Sequence, residues 1–384
     1  MRPIKALLLT STLIALSPAA AQAEVNVVAS IKPVHSLVSA IMEGVGEPGL
    51  IVDGAGSPHT YAMKPSQAQM LEDANLVFWI GPGIETFLEK PLETIGTNAK
   101  TVELMDTPDL VLLPMREGGM FEAHDHGHGD NHDHGSHGAE EASAEGHDGH
   151  SHDHDESAGH SHDDGHSHDH EETAEAGHDH DHGETAEAGH DHDHDHEKTA
   201  EAGHGHDHAE GEYNPHIWLD PVNAKAMVHE IEETLVAADP DNAAKYETNA
   251  KAEMARLDKL TTEVSAELKP LKDKSFIVFH DAYPYFENRF GVEAAGSITV
   301  SPEVVPGAQR VGEIRHKIEE LGATCVFAEP QFEPKLISTV TEGSDARSGV
   351  LDPLGADIQN GPDLYFKLIQ NMANSMKDCL AQSS

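Results

Sequence analysis

From Glu122 to Glu212 the chain carries 25 histidines, 29 acidic residues and a single base, Lys198. Such a stretch has almost no aromatic or branched apolar side chains, so it cannot bury enough surface to offset the entropy lost on ordering. It also repeats internally: Thr173–His182 returns as Thr185–His194 and, with one change, as Thr199–His208. The expectation is a disordered surface insertion. Its alternating imidazoles and carboxylates suit borderline divalent ions such as zinc, copper or nickel, at several interchangeable and individually weak sites. A solubilising charged spacer is the plainer alternative, and histidine at more than one position in four speaks against it.

Outside the tract the composition is that of an ordinary globular chain. The 384 residues carry a formal charge of -45, which excludes a general nucleic-acid binder because a polyanion would be repelled. At the N-terminus Arg2 and Lys5 precede an apolar run from Ala6 to Leu16, then Pro18 and Ala21-Gln22-Ala23. A positive start, an apolar core and an A-x-A ending read as a secretory signal peptide cleaved after Ala23. The alternative, a membrane anchor, would need a longer run to cross ~30 Å of hydrocarbon. The mature protein is expected to be soluble and exported. In an oxidising compartment Cys325 and Cys379 most simply form one disulfide, with two buried free thiols as the alternative.

Setting aside residues 1–23 and the tract leaves about 270 residues, enough for two lobes of ordinary size. Short β-branched runs alternate with helical patterns. Val25–Ala29, Leu50–Val52, Leu76–Ile80, Ser275–His280, Val292–Ala295, Thr324–Ala328 and Gly349–Leu351 read as strands. Pro33–Glu43, Ser66–Ala74, Pro221–Ala238, Ala282–Arg289, Gly307–Leu321 and Leu364–Leu380 read as helices. That alternation predicts an α/β chain with mostly parallel sheets flanked by helices. One element breaks the rhythm. From Asp241 to Leu268 apolar residues recur at three- or four-residue spacing (Tyr246, Ala250, Met254, Leu257, Leu260, Val264, Leu268), between Asp239-Pro240 and Pro270. Such a helix would run about 42 Å, too long for a crossover within one small lobe. The expected organisation is an N-terminal α/β lobe over 24–238 containing the tract at 122–212, a rigid linker helix over 239–270, and a C-terminal α/β lobe over 271–384.

Six histidines lie outside the tract. His229 and His316 fall within charged helical patterns and read as surface residues; His35 can be spent on a backbone hydrogen bond. The other three share a context. His59 follows Gly54-Ala-Gly-Ser-Pro58 after a strand, His216 sits in Asn214-Pro-His-Ile-Trp-Leu-Asp220 before a helix, and His280 ends a strand leading into Asp281-Ala-Tyr-Pro284. In open α/β sheets ligands bind beyond the carboxyl ends of strands. Each histidine alone is more often structural; as a set, drawn from both sides of the long helix, they point to a metal site in a cleft between lobes.

These residues also carry a resemblance. Ser57-Pro-His-Thr-Tyr-Ala-Met-Lys-Pro-Ser66, Asn214-Pro-His-Ile-Trp-Leu-Asp-Pro221, Phe279-His-Asp-Ala-Tyr283 and Leu351-Asp-Pro-Leu-Gly355 resemble the periplasmic metal-binding proteins of bacterial high-affinity zinc ABC transporters. The resemblance covers essentially the whole mature chain, including the histidine-rich insertion, the long helix and both cysteines. It implies two α/β lobes on a helical backbone, Zn2+ in the cleft as transported ligand, and delivery to an inner-membrane permease driven by an ATPase subunit. By motif the ligands would be His59, His216 and His280. Asp352 matches the place where manganese-binding relatives use an aspartate, and is a candidate fourth or nearby ligand. Some zinc members have an acidic residue before the first histidine where this chain has Pro58, which leaves water, Asp352 or a tract carboxylate for the fourth position. Manganese-binding relatives place a glutamate where His280 stands, and three neutral imidazoles favour zinc over harder manganese.

Three histidines and a water are also a catalytic zinc arrangement, and Glu329 and Asp281 could lie near the cleft. Against a hydrolase, His229-Glu-Ile-Glu-Glu233 lacks the second histidine of a metalloprotease helix, and neither G-x-S-x-G nor a phosphate-cradling glycine loop is present. An extracytoplasmic zinc buffer without a transporter would need only the tract. The reading is therefore a monomeric, non-enzymatic periplasmic solute-binding protein of a zinc importer, with the tract as low-affinity collector.

Overall fold

Strand β1 (Val27–Ile31) is buried at every position, as happens when both faces of a sheet are covered by other elements. In the computed structural model, which describes residues 25–116, 121, 212–299, 302, 306–322, 325–333 and 335–381, β1 sits second in a four-stranded sheet. Its neighbours are β2 (Gly49–Val52) and β3 (Leu76–Trp79), and β4 (Lys100–Glu103) lies beyond β3, giving the order β2-β1-β3-β4. All three pairings are parallel. Between them run α1 (Lys32–Ile41), α2 (Pro65–Glu72), α3 (Pro82–Glu85) and α4 (Glu89–Thr94).

Past the tract, α5 (Pro221–Ala238) and α6 (Ala243–Leu268) lead into a second sheet of the same design. Its strands are β5 (Phe276–Val278), β6 (Ala294–Ser297), β7 (Cys325–Ala328) and β8 (Arg347–Val350), in the order β6-β5-β7-β8 and again all parallel. Helices α7 (Pro284–Phe290), α8 (Ala308–Leu321), α9 (Lys335–Thr341) and α10 (Leu364–Leu380) connect and follow them. In each sheet the chain first steps to one side of the opening strand and then returns to the other. The carboxyl ends of β1 and β5 are thus the switch points at which such sheets bind ligands.

The 26 residues of α6 span about 39 Å. The helix packs on α1, α5 and α10, touching elements that belong to both sheets. Its buried positions are Tyr246, Ala250, Glu253, Leu257, Leu260, Val264 and Leu268. Six of the seven apolar positions read from the sequence are buried, Met254 packs half-buried against the core, and Glu253 joins the buried stripe. Burial pushes its carboxyl up to about 7, and Arg256 Nη1 donates to its Oε2 at 3.0 Å while spanning to Asp363 ahead of α10.

One large core runs from the first sheet through these helices to one face of the second sheet, including Phe276, Val278 and Phe327. Alternate residues Ile277 and Val326 turn to the opposite face and form a smaller core with Ile314, Ile318, Ile337 and Val340. Cys325 and Cys379 form a disulfide, Cα–Cα 6.1 Å, which staples β7 to α10. Lys32 is almost fully buried, and its Nζ donates to the carbonyls of Ala356 and Ile358 at 2.9 and 2.8 Å. Ser36 Oγ donates to Gly361 O at 2.9 Å, so α1 is tied to the segment that follows β8.

Pattern reading misses the short helices α3 and α4, and also β4 and α9, whose sequences are atypical. Lys-Thr-Val-Glu at β4 shows no apolar run, because the strand lies at a sheet edge with only Val102 buried. Lys-Leu-Ile-Ser-Thr-Val-Thr at α9 is β-branched, a composition that favours strands. The signal peptide at 1–23 and the disordered loop expected over 122–212 lie outside the described residues, apart from Glu212. Among the described residues no helix is long and apolar enough to cross a membrane.

Candidate metal centre

Each of the three histidines is placed by a short motif with its own reason to bend there. After β2 the chain turns at Gly54, whose φ of 78° suits a residue without a Cβ. It then makes a single helical turn over Pro58–Thr60, with Pro58 fixing φ at the first position and His59 next. His216 precedes another single turn, Ile217–Leu219. That turn is held by Trp218 Nε1 donating to Pro353 O at 2.8 Å and Tyr365 Oη donating to Trp218 O at 2.6 Å. Asp220 then caps α5, accepting from Val222 N at 2.8 Å. His280 stands two residues beyond the carboxyl end of β5.

These motifs bring His59, His216 and His280 together, with one nitrogen from each lying within 4.8 Å of the others. Ring centroids are 5.2–5.8 Å apart. His216 and His280 are buried, and His59 is partly so. The cavity they line has a volume of about 10 Å³ and is also lined by Ser57, Trp218, Glu329, Gln331 and Phe332 among others. That is room for roughly one water-sized particle.

The hydrogen bonds decide which nitrogens are free. Glu329 sits just past β7, buried, and its Oε1 lies 2.7 Å from His280 Nδ1. A carboxylate can only accept, so Nδ1 carries the proton there. Asn214 Oδ1 lies 2.9 Å from His216 Nδ1 and also accepts from the His216 amide at 3.1 Å. The amide group's orientation is fixed by its Nδ2, which donates to Asp281 O at 2.8 Å. Both histidines therefore point an Nε2 lone pair inward, and the two Nε2 atoms are 3.3 Å apart. Two lone pairs at that distance repel unless a cation lies between them. A tetrahedral ion with metal–nitrogen bonds near 2.05 Å holds its ligands about 3.3 Å apart.

The electrostatics agree. Burial, with a contribution from His280, pushes His59 down to about 3. Burial and the two neighbouring imidazoles hold His216 well below the usual histidine range. Near neutral pH these rings are uncharged, the form that binds metal. Carboxylate and amide partners on the outer nitrogens fix the tautomer and orient the rings, as outer-shell partners do at metal sites.

Asp352 is not part of this group. Its carboxylate caps its own turn, accepting from the amides of Leu354, Gly355 and Ala356 at 3.1, 2.9 and 2.6 Å and from Gln331 Nε2 at 2.9 Å. Asp281 faces away to Arg116. His35 Nε2 lies 3.1 Å from the Pro48 carbonyl, and His229 and His316 are exposed. Three residues that pattern reading did not single out matter here. Asn214 lies two positions before His216, where Asn-Pro was the available signal. Gln331 and Arg116 gave no local signal. Arg116 stands at the edge of the tract, beside an antiparallel bridge between Pro114 and Tyr213. It reaches Asp281 and Glu287, the latter at 2.7 Å.

A family model described as the periplasmic zinc-uptake complex component A matches residues 27–379. A protein of Brucella suis biovar 1 named high-affinity zinc uptake system protein ZnuA is 54% identical over 357 residues, 93% of this chain and 92% of that one. A protein of the same name from Yersinia pestis is 34% identical, again over 93% and 92% of the two chains. A crystal structure of ZnuA superposes with a TM-score of 0.60 at 22% identity, covering 92% of this chain and 99% of that one, which supports the fold.

Proposed function

Because the chain belongs to the family of periplasmic zinc-uptake component A proteins, whose role in uptake is non-catalytic, we propose that it is the periplasmic solute-binding subunit of a zinc ABC importer. In this reading His59, His216 and His280 capture Zn2+ through neutral imidazole nitrogens, and the loaded protein delivers it to an inner-membrane permease powered by an ATPase subunit. The histidine-rich tract gathers zinc weakly and raises its supply near the cleft. The soluble, exported form follows from removal of residues 1–23. Cys325–Cys379 belongs to the same exported setting, where disulfides persist.

The observation that carries the reading is the pair of Nε2 atoms 3.3 Å apart, each with its other ring nitrogen already engaged. Such a pair is preorganised for a borderline cation. Zn2+ is the cargo here, so the site must also let it go. The three ligands come from three separate connections, after β2, before α5 and after β5, and a small displacement of any one breaks the set.

The test is a zinc titration of the mature chain against a chromophoric chelator. One tight equivalent is expected above the weaker ones, and His280→Ala should abolish it while leaving the weak ones in place. Retention of the tight equivalent in His280→Ala would place the high-affinity chemistry elsewhere and sink the assignment.

A further inference from the structure

Three neighbouring strands of the second sheet each release a metal-relevant side chain at their carboxyl ends: His280 after β5, Glu329 after β7 and Asp352 after β8. Two of them work at the histidine cavity. Asp352 does not line it, although the next two residues, Pro353 and Leu354, do. A carboxylate so close in sequence to the cavity wall would be a natural ligand for a hard divalent ion.

The hydrogen bonds explain its absence from the cluster. Asp352 Oδ1 accepts from two backbone amides of its own turn, Leu354 and Gly355, and from one distant side chain, Gln331 Nε2 at 2.9 Å. Because a carboxylate only accepts, the Gln331 amide must present its nitrogen to Asp352. Its oxygen therefore faces the other way. That Oε1 is buried and has no hydrogen-bond partner among the described residues, in a residue that lines the histidine cavity.

We infer that Gln331 is a specificity-determining positioning residue: it holds the Asp352 carboxylate off the metal and offers the cavity a neutral amide oxygen instead. The donor set then stays at three uncharged imidazoles, and the amide oxygen accepts from a water that completes the coordination. A neutral nitrogen set retains zinc and discriminates against manganese, which prefers oxygen anions. Without Gln331, Asp352 loses a charge-assisted hydrogen bond, among the stronger kinds. Its carboxylate is then held only by the amides of its own turn, Leu354 and Gly355 on Oδ1 and Ala356 on Oδ2. With the side facing the cavity wall released, it can turn about a broad terminal torsion toward the ion.

This inference rests on the cluster being the zinc site, and the experiment separates the two. The mature chain, Gln331→Leu and Gln331→Leu/Asp352→Asn are each titrated with Zn2+ and with Mn2+ against a metal-binding dye. The tract is identical in all three, so differences between them report the cleft. Gln331→Leu should narrow the preference for zinc over manganese by about tenfold, the low end of what one hydrogen bond to a charged group contributes. Adding Asp352→Asn should restore the original preference, a rescue that a merely structural role for Gln331 would not give. If Gln331→Leu does not fold, Gln331→Met, longer and more pliable, reads the same contrast. An unchanged preference, or a change that persists without the Asp352 carboxylate, overturns the inference while leaving the zinc site standing. Absence of a tight zinc equivalent in the unmutated chain overturns the site itself.

Discussion

Arg116 is the last described residue before the stretch that leads into the histidine-rich tract, and it reaches two acidic side chains at once. Its Nε donates to both oxygens of Asp281, at 2.9 and 3.1 Å, and its Nη2 also reaches Asp281. Nη1 and Nη2 donate to the two oxygens of Glu287 at 2.7 and 3.0 Å. Both acids are buried, whereas the arginine is about a quarter exposed. In Arg116→Ala, the carboxylate of Glu287 keeps, among the described residues, the Ala294 amide at 3.0 Å, and two carboxylates are left facing each other. Breaking a buried pair by removing one partner costs about 3–5 kcal/mol. Water entering beside the exposed edge of the missing guanidinium brings the expected loss to about 3 kcal/mol.

The pH dependence identifies the cause of that loss. Burial raises the Glu287 carboxyl above its ordinary value, and Arg116 opposes the rise. Removing Arg116 raises it further. A carboxyl whose folded value lies above its unfolded one is stabilising when protonated and loses that stability as pH rises through the folded value. The deficit of Arg116→Ala should therefore be largest at pH 7.5 and shrink by pH 5.5. With a urea slope on the order of 3 kcal/mol/M for a chain of this size, the midpoint should fall by about 1 M at pH 7.5. Urea melts of both proteins at the two pH values, followed by far-ultraviolet circular dichroism, measure this directly. An equal deficit at both pH values, or one below about 1 kcal/mol, would mean that the unpaired carboxylate is not the source.

The histidine cluster and the disulfide each carry a further expected outcome. In the metal-free protein His59 and His216 stay neutral well below pH 6.5 while their unfolded counterparts take up protons. Stability should thus decline as pH falls from 6.5 to 5 through these two groups, by about 1.5 kcal/mol through His59 alone, and a His59→Gln/His216→Gln variant should show a flatter pH profile by urea melts. Cys379→Ser opens a covalent loop spanning 54 residues, worth about 4 kcal/mol in the chain-entropy model. A fall in stability of under about 1 kcal/mol, measured on the oxidised parent and the variant, would assign little of the second lobe's stability to the bridge.

How much of this could be read from the sequence depends on how locally each feature is encoded. Helices α5 and α10 appear with the expected bounds because their start signals, their periodicity and their ends all lie within one stretch of chain. The strands of the inner sheet positions, β1, β3, β5 and β7, announce themselves as continuous apolar runs, which burial on both faces demands. Strand β4 does not, since an edge strand needs only one buried side chain. In α6 the period was legible but its phase was not fully so. Glu253 joins the buried stripe beside a half-buried Met254, because Arg256, one turn on and paired with Asp363, donates to a carboxyl where hydrophobicity alone would not place one.

The site divides in the same way. His59, His216 and His280 were visible because histidine is rare outside the tract and each stands in a connection, after a strand for His59 and His280 and before a helix for His216. Of what surrounds them, Glu329 was legible only as a residue near the cleft, and the pairings were not legible at all. Asn214, Glu329 and Gln331 act through pairings 2 to 49 residues apart in the chain, and neither amides nor a carboxylate in a loop carries a local signature of its role. Asp352 shows the cost of that blindness. Its chemical type fits a metal ligand, and only the three amide donors of its own turn and the nitrogen of Gln331 reveal that the carboxylate is already committed. Residue type thus proposes a ligand set, and competition for each lone pair selects from it. On that ground the selectivity of this site is expected to depend as much on which acceptors are already occupied as on which donors converge.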